Sequence, residues 1–237
     1  MQESAAIPML LSFDVFGTLI DVRQGSYEAF RSILQEHGRA DIDVRAFWEY
    51  WEERNIAHYW EAYRPYKEIC RTSLVEAFAR FDVAGDAATI SRYFDAFRGF
   101  KLFPDVLPTL EILSRQHRLA IVSNIDNDLL AATPLQREFN LVCPAEKAHG
   151  YKPDGTLFRY LLAQAGVPLN QILHSGQSQF TDMVGGKPLG LTIAWINRRN
   201  VHLSPSVPKP DFTFADIASL VPLIEGMTDH DASARIS

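Results

Sequence analysis

The chain has 237 residues, of which 47% are hydrophobic and 22% charged. This is the composition of an ordinary globular protein, and the length suits one large domain or one domain with an insertion. Disorder over most of the chain and a small disulfide-linked scaffold are therefore excluded. The net charge of −6, with no run of Lys or Arg, argues against nucleic-acid binding.

Membrane and metal signals are also missing from the sequence. No apolar stretch approaches the length of a transmembrane helix, and the N-terminal residues lack the basic region of a signal peptide. The cysteines Cys70 and Cys143 do not have the spacing of metal ligands, and we interpret them as reduced thiols. We expect a soluble, cytoplasmic protein that acts on a small molecule, with neither a nucleic acid nor a membrane as partner.

Six short apolar runs predict strands. They cover residues 9–13, 119–122, 141–143, 172–174, 192–196 and 211–214, of which 141–143 is weaker and 211–214 is an edge strand. Continuous rather than alternating hydrophobicity indicates strands that are covered on both faces. Because helical patterns lie between these runs, the sequence predicts an α/β fold with a doubly wound parallel sheet, that is, a Rossmann-like core.

Residues 22–100 interrupt this alternation with four helical segments in succession. We therefore predict a Rossmann-like catalytic core from residues 1–21 and 101–225, an inserted helical cap at 22–100 and a flexible tail at 226–237. The aromatic stripe of the cap is expected to be mostly core, with one or two of Trp48, Trp51 and Trp60 facing the crevice. An aromatic-rich cap also leaves room for a homodimer.

In open α/β sheets, ligands bind beyond the carboxyl ends of the strands. The predicted strands 9–13, 119–122 and 172–174 are each followed there by polar residues. In addition, Lys152 precedes Pro153 at the start of a predicted helix. Asp14, Ser123, Lys152 and Asp182 are expected to converge on one crevice at this edge. The strand exits also carry Thr18, Asn124, Gln177 and Ser178.

In order and spacing, these residues resemble the four sequence motifs of the haloacid dehalogenase superfamily. Asp14 and Thr18 match the first motif, Ser123 the second, Lys152 the third and Asp182 the fourth. The resemblance covers nearly the whole chain, since the insertion after the first motif looks like the helical cap of that family.

Position 16 distinguishes the branches of the superfamily. Its phosphatases carry a second Asp two residues after the nucleophile, which protonates the leaving alcohol. Phe16 stands at this position and cannot transfer a proton, whereas a halide leaves as a stable anion. Phe at this place resembles the 2-haloacid dehalogenase (type II) branch. Gln177 stands where metal-dependent relatives have Asp, and Mg²⁺ prefers carboxylates, so we expect neither a metal nor another cofactor.

The resemblance implies a mechanism. Asp14 attacks the halogen-bearing carbon of a small 2-haloalkanoic acid, and water then hydrolyses the aspartyl ester to give a 2-hydroxy acid. Lys152 keeps Asp14 ionised, Asp182 holds Lys152, and Thr18 supports the loop of the nucleophile.

The remaining residues are expected to bind the substrate. Ser123, Asn124 and the backbone amides that follow them would hold its carboxylate. Gln177 and Ser178 are candidates for positioning the hydrolytic water, and Phe16 would contact the substrate.

The cap departs from the family pattern at one position. The dehalogenase branch has an arginine immediately after a Trp, but Trp48 and Trp51 are both followed by Glu. Arg54, one turn beyond Trp51, is the candidate replacement, and Arg64 is a second candidate.

Several other polar residues are predicted to have structural roles. Arg198 and Arg199 are expected to be solvated, and Asp126 and Asp128 to cap the helix after the second motif. His174 is expected to be structural rather than a base.

Two alternatives to the dehalogenase stay open. One is a Mg²⁺-dependent phosphatase of the same superfamily, which would have to work without an acid at Phe16. The other is a catalytically silent, dehalogenase-like binding protein, which the missing cap arginine favours.

Overall fold

The computed structural model describes residues 9–234, with the side chains of residues 9–227. The strands of this part of the chain are β1 (Leu10–Phe13), β2 (Ile20–Asp21), β3 (Lys101–Leu102), β4 (Arg118–Ser123), β5 (Leu141–Pro144), β6 (Ile172–Gly176), β7 (Thr192–Ile196) and β8 (Phe212–Phe214). Six of them form one parallel sheet in the order β5-β4-β1-β6-β7-β8. Each of the six predicted strands is present, and the prediction of a parallel α/β sheet is confirmed.

Strand β1 lies at the centre of the sheet. It pairs with β4 on one side and β6 on the other, and all four of its residues are buried. The sequence Leu-Leu-Ser-Phe is suited to this position because both faces of the strand are covered by helices. The carboxyl end of β1 therefore opens at the middle of the sheet edge, between the ends of β4 and β6.

The segment between β2 and β3 is helical. It contains α1 (Arg23–Glu36), α2 (Val44–His58), α3 (Tyr66–Arg80) and α4 (Ser91–Ala96), with short 3-10 turns at Ala87–Ile90 and Phe97–Gly99. Their aromatic side chains form the cap's core: the ring of Phe30 lies 4.8 Å from that of Trp51 and 5.4 Å from that of Tyr93. The antiparallel pair β2–β3 at the base was not predicted, because two-residue strands are too short to show a periodicity.

The other helices cover the sheet. They are α5 (Val106–Leu113), α6 (Asn127–Ala132), α7 (Ala145–Ala148), α8 (Thr156–Ala165), α9 (Val184–Gly186) and α10 (Leu220–Ala234). Helix α10 extends into the segment predicted as a flexible tail, of which residues 235–237 lie outside the described part of the chain. Within residues 9–234, no helix combines the length and apolar character needed to cross a membrane.

Asp126 joins the core to the cap. It stands directly before α6, but its carboxylate accepts the backbone N–H groups of Tyr66 (2.8 Å) and Lys67 (3.0 Å) at the start of α3. The prediction that Asp126 caps the helix after the second motif is therefore wrong. A carboxylate can cap any helix start that approaches it, and here the start of a cap helix does so.

Asp126→Ala is expected to lower the free energy of unfolding by about 1–2 kcal/mol, because two N–H groups at the start of α3 lose their acceptor. Asp128→Ala is the matched control, since the exposed Asp128 pairs with Lys67 at the surface. The control is expected to cost less than about 1 kcal/mol. Urea unfolding of both variants measures the difference, and equal losses would contradict this role of Asp126.

Candidate active site

The loop that follows β1 positions the first pair of site residues. Asp14 donates its N–H to Ser175 O on β6, and the chain then turns back so that the N–H groups of Leu19 and Ile20 reach Val15 O. This turn brings the Thr18 hydroxyl to Asp14, where it donates to Oδ2 at 2.7 Å. Asp14 is 7% exposed. Its backbone is thus fixed by hydrogen bonds, whereas its carboxylate reaches the cavity.

Gly17 is required by the geometry of this turn. Its φ is +84°, and a Cβ atom there would lie 2.7 Å from Oε1 of Gln177. Any other residue would therefore be strained and would also displace the Gln177 side chain. The backbone of Gln177 is also fixed: its N–H donates to Thr18 Oγ1, and its carbonyl oxygen accepts a hydrogen bond from the Trp195 indole N–H.

Lys152 connects two carboxylates. Its ammonium donates to Asp14 Oδ1 at 2.5 Å and to Asp182 Oδ1 at 2.8 Å, and the lysine is 1% exposed. Asp182 is fully buried and also accepts the Ser178 N–H at 3.0 Å. The predicted convergence of Asp14, Lys152 and Asp182 is thus present in the structure.

His174 and Ser12 extend this network beneath the sheet edge. His174 Nε2 lies 3.1 Å from Asp182 Oδ1, and its Nδ1 lies 3.0 Å from the Ser12 hydroxyl. Both residues are fully buried. His174 therefore supports Asp182 from behind and does not face the cavity, in line with its predicted structural role.

The pKa shifts in this cluster follow from burial and charge together. Burial raises the pKa of Asp14, and nearby Asp182 acts in the same direction, against Lys152 and the Thr18 hydroxyl. Burial alone would lower the pKa of Lys152, but the two carboxylates raise it. Burial would likewise raise the pKa of Asp182, which Lys152 and His174 lower to about 2. The cluster thus holds a charged lysine and a charged Asp182, while Lys152 offsets only part of the cost of ionising Asp14.

Ser123 and Asn124 follow β4 beside Asp14. The Ser123 hydroxyl is buried and has no hydrogen-bond partner within the described residues. Oδ1 of Asn124 accepts the backbone N–H of Lys152 at 2.9 Å, so only its Nδ2 group remains for a ligand. The Ser123 hydroxyl and the Asn124 Nδ2 group are thus hydrogen-bond donors next to the Asp14 carboxylate that a ligand can use.

A cavity of about 760 Å³ opens between this edge of the sheet and the cap. Most of the predicted site residues line it: Asp14, Phe16, Ser123, Asn124, Lys152, Gln177 and Ser178. Thr18 and Asp182 lie behind the wall and are fully buried. Three tryptophans of the cap, Trp48, Trp51 and Trp60, contribute to the opposite side.

Arg54 and Arg64 are not part of this cavity, and their prediction as replacements for the family's cap arginine is wrong. The Arg54 guanidinium pairs with Glu76 on α3. Arg64 pairs with Glu61 at 2.9 Å, also away from the cavity wall. Arg54 lies one turn along α2 from Trp51 and points toward the neighbouring helix α3, where the half-buried Glu76 neutralises its charge.

Two other arginines face the cavity and were missed. Arg23 is the first residue of α1, and Arg199 follows β7; both line the wall together with Glu52 of α2. The expectation that Arg199 is solvated is therefore wrong, as is that for Arg198, which pairs with Asp105. No spacing in the sequence connects these residues, because they come from three elements that meet only in the folded chain.

The donors at the site do not match those that Mg²⁺ prefers. Asp14 and Asp182 share the Lys152 ammonium, and the neutral Gln177 stands where an acid would supply a third carboxylate. Among the side chains of residues 9–227, no three His, Cys, Asp or Glu groups are arranged as metal ligands.

Known proteins resemble this chain over most of its length. Haloacetate dehalogenase H-2 of Moraxella sp. (strain B) is 25% identical over 224 residues, which cover 90% of this chain and 96% of that protein. The pyrimidine 5'-nucleotidase PynA of Streptococcus pneumoniae is 28% identical over 211 residues, which cover 81% and 85%. The solved structure of L-2-haloacid dehalogenase from Xanthobacter autotrophicus shares the fold, with a TM-score of 0.77 at 20% identity over 93% of this chain and 99% of that one.

The sequence model of one family matches the greater part of the chain. It is described as haloacid dehalogenase-like hydrolase and matches residues 11–196. This range begins in β1 and ends with β7, so it includes Asp14, Ser123, Lys152 and Asp182 as well as the whole cap. The chain therefore belongs to the haloacid dehalogenase-like hydrolases.

Proposed function

We propose that this hydrolase cleaves the carbon–halogen bond of a small 2-haloalkanoic acid and yields the 2-hydroxy acid, without a metal ion. The observation that carries this proposal is the pair of Asp14 and Phe16. Both line the cavity, and the Phe16 ring packs against Phe97 at 5.5 Å, so an apolar side chain stands where a proton donor would be needed to expel an alcohol. A halide needs no such donor.

The first step is a displacement at C2 of the acid. An oxygen of the Asp14 carboxylate forms a bond to this carbon, and the electron pair of the carbon–halogen bond leaves with the halide. Thr18 and Lys152 fix the carboxylate by hydrogen bonds to its two oxygens, which orients it toward the substrate.

The substrate carboxylate would bind beside β4. The Ser123 hydroxyl is a buried donor without a partner, and a ligand carboxylate would remove the cost of leaving it unpaired. The Nδ2 group of Asn124 and the backbone N–H groups that follow would add further donors.

The second step is hydrolysis of the aspartyl ester. Water attacks Cγ of Asp14, and the bond between Cγ and the oxygen attached to C2 of the substrate breaks. This oxygen takes one proton of the water and leaves as the hydroxyl group of the product, the other water proton is released, and the Asp14 carboxylate is restored with the oxygen of the water. Gln177 and Ser178 line the cavity next to Asp14 and would position this water. One halide and one proton are released for each 2-hydroxy acid formed.

A phosphatase is the second candidate function. The similarity to a pyrimidine 5'-nucleotidase over 81% of the chain favours it. Phe16 in place of an acid and Gln177 in place of a metal-binding carboxylate oppose it. A third hypothesis is a catalytically silent binding protein. It is favoured by the positions of Arg54 and Arg64, which do not line the cavity.

Halide release from racemic 2-chloropropionate in the presence of EDTA tests the proposal. We expect turnover that EDTA does not reduce, accompanied by proton release. Phosphate release from p-nitrophenyl phosphate is measured in parallel with Mg²⁺. Phosphate release that depends on Mg²⁺, without any halide release, would replace the proposal by the phosphatase. No turnover in either assay would favour the silent protein.

A further inference from the structure

Three charged side chains of the cavity wall are not used by the proposed reaction. Arg23 lies at the base of the cap, Glu52 on α2 and Arg199 on the loop after β7. Within the described residues, none of these side chains has an ion pair or a hydrogen bond. The Nε atom of Arg23 is buried and without a partner, which is costly unless a ligand occupies the site.

The charges of these three groups act on one another. Burial raises the pKa of Glu52, against the charges of Arg199 and Arg23. Burial lowers the pKa of Arg199; Glu52 opposes this shift, whereas Arg23 adds to it. Two further carboxylates of α2 line the cavity: Glu49, which is paired at 2.8 Å with an arginine of the same helix, and the exposed Glu53. The group of Arg23, Arg199 and Glu52 by itself carries a net charge of +1.

The sheet order places this wall on the opposite side of Asp14 from Ser123. Ser123 ends β4, which pairs with one side of β1, whereas Arg199 follows β7, which is separated from β1 by β6. With neighbouring strands about 4.8 Å apart, the ends of β4 and β7 are separated by roughly 14 Å. The backbone positions of Ser123 and Arg199 therefore lie apart along the sheet edge, and a ligand with an anionic group at each end can contact both groups of donors.

The size of the cavity agrees with a longer ligand. At about 760 Å³, it lies in the range of about 300–1,000 Å³ that drug-sized ligands occupy. An acid of two or three carbons fills only a small part of this volume. The planar guanidinium is suited to binding a carboxylate through two hydrogen bonds.

We infer that Arg23 and Arg199 form a second anion site, which binds the distal carboxylate of a 2-halodicarboxylic acid. This inference rests on the proposed function, because it names the substrate class of the same site. Glu52 lines the same wall, and its negative charge opposes the attraction of the two arginines for an anion.

The test compares acids of equal length with and without the distal carboxylate. Halide release is measured for 2-bromosuccinate against 2-bromobutanoate and for 2-bromoadipate against 2-bromohexanoate. In the parent protein, kcat/KM is expected to be higher for at least one dicarboxylate than for its partner. Arg23→Gln and Arg199→Gln should each lower the dicarboxylate value by about 10- to 100-fold and the monocarboxylate value by less than about 3-fold.

Two further variants make the test specific. Arg31→Gln removes a charge from the exposed face of α1 and should leave the preference unchanged. Glu52→Gln removes the opposing carboxylate and should raise the preference for the dicarboxylate. Equal losses for both acids in the arginine variants, or no preference in the parent, would overturn the inference.

Calorimetry with adipate and hexanoate, which cannot react, separates this inference from the proposed function. If no 2-halo acid is turned over but adipate binds the parent more tightly and Arg199→Gln removes the difference, the second site stands and the dehalogenase proposal fails. If halide is released but adipate and hexanoate bind alike, the proposed function stands and the second site fails.

Discussion

Asp14→Asn is expected to reduce halide release by at least about 10³-fold, because the amide is a far weaker nucleophile than the carboxylate. The replacement has nearly the same shape and can still accept the Thr18 hydrogen bond at its oxygen. A loss of this size would therefore follow from the chemistry of the group rather than from its volume. The measurement is the initial rate of halide release under saturating 2-chloropropionate, with Asp128→Asn as a control for replacement of an exposed carboxylate.

A single turnover in oxygen-18 water distinguishes the ester mechanism from direct attack by water. With protein in excess over substrate, the oxygen in the first 2-hydroxy acid comes from Asp14 and is unlabelled, and the label enters the carboxylate of Asp14. Mass spectrometry of the peptide that contains Asp14 measures this label. A labelled product together with an unlabelled peptide would rule out the aspartyl ester. An Asp14→Asn variant that releases halide at the rate of the parent protein would rule it out as well.

Lys152→Met has the second large expected effect, this time on stability as well as activity. The variant leaves the buried carboxylates of Asp14 and Asp182 without their shared cation. Removing one partner of a buried charge cluster typically costs about 3–5 kcal/mol in the free energy of unfolding. Halide release should fall as well, since Asp14 would be harder to ionise. Lys147→Met, on the exposed side of α7, is the matched control and should cost less than about 1 kcal/mol.

The pH dependence of this loss has a definite sign. Because the pKa of Asp182 is lowered to about 2, its contribution to stability is present above the ordinary value of 3.8 and is lost as the pH falls toward 2. Without Lys152, both buried carboxylates would take up protons at higher pH than in the parent. The difference in unfolding free energy between parent and Lys152→Met should therefore shrink between about pH 7 and about pH 4. A constant or growing difference would contradict the assignment of Lys152 as the cation that stabilises both acids.

The residues predicted at the edge of the sheet come together because of a general property of the fold. Asp14 and Ser123 each stand at the end of a continuously apolar run, and such runs become adjacent parallel strands with their carboxyl ends at one edge. The chemistry of position 16 follows in the same way from the residue type, because the Phe16 ring cannot carry a proton in any conformation. The strand pattern and the residue type at position 16 both lie within short segments, so the sequence alone is enough to predict them.

Only the folded chain decides which neighbouring helix or cavity a side chain faces. Arg54 lies on the predicted helix but is turned to Glu76, whereas Arg199, expected in solvent, lines the cavity. Asp126 is next to α6 in sequence but caps α3, 60 residues away. These contacts depend on how the cap is seated on the sheet, which no local pattern encodes.

The sequence by itself thus determined the sheet, the helical segment inserted after its first strand and the meeting of Asp14 with Lys152, because periodicity and residue chemistry are local properties. The tertiary structure decided which charges share the cavity with Asp14: Arg23 comes from the start of α1, Glu52 from α2 and Arg199 from the loop after β7. The size and charge of the cavity, and with them the choice of substrate, arise from the packing of these distant elements against one another.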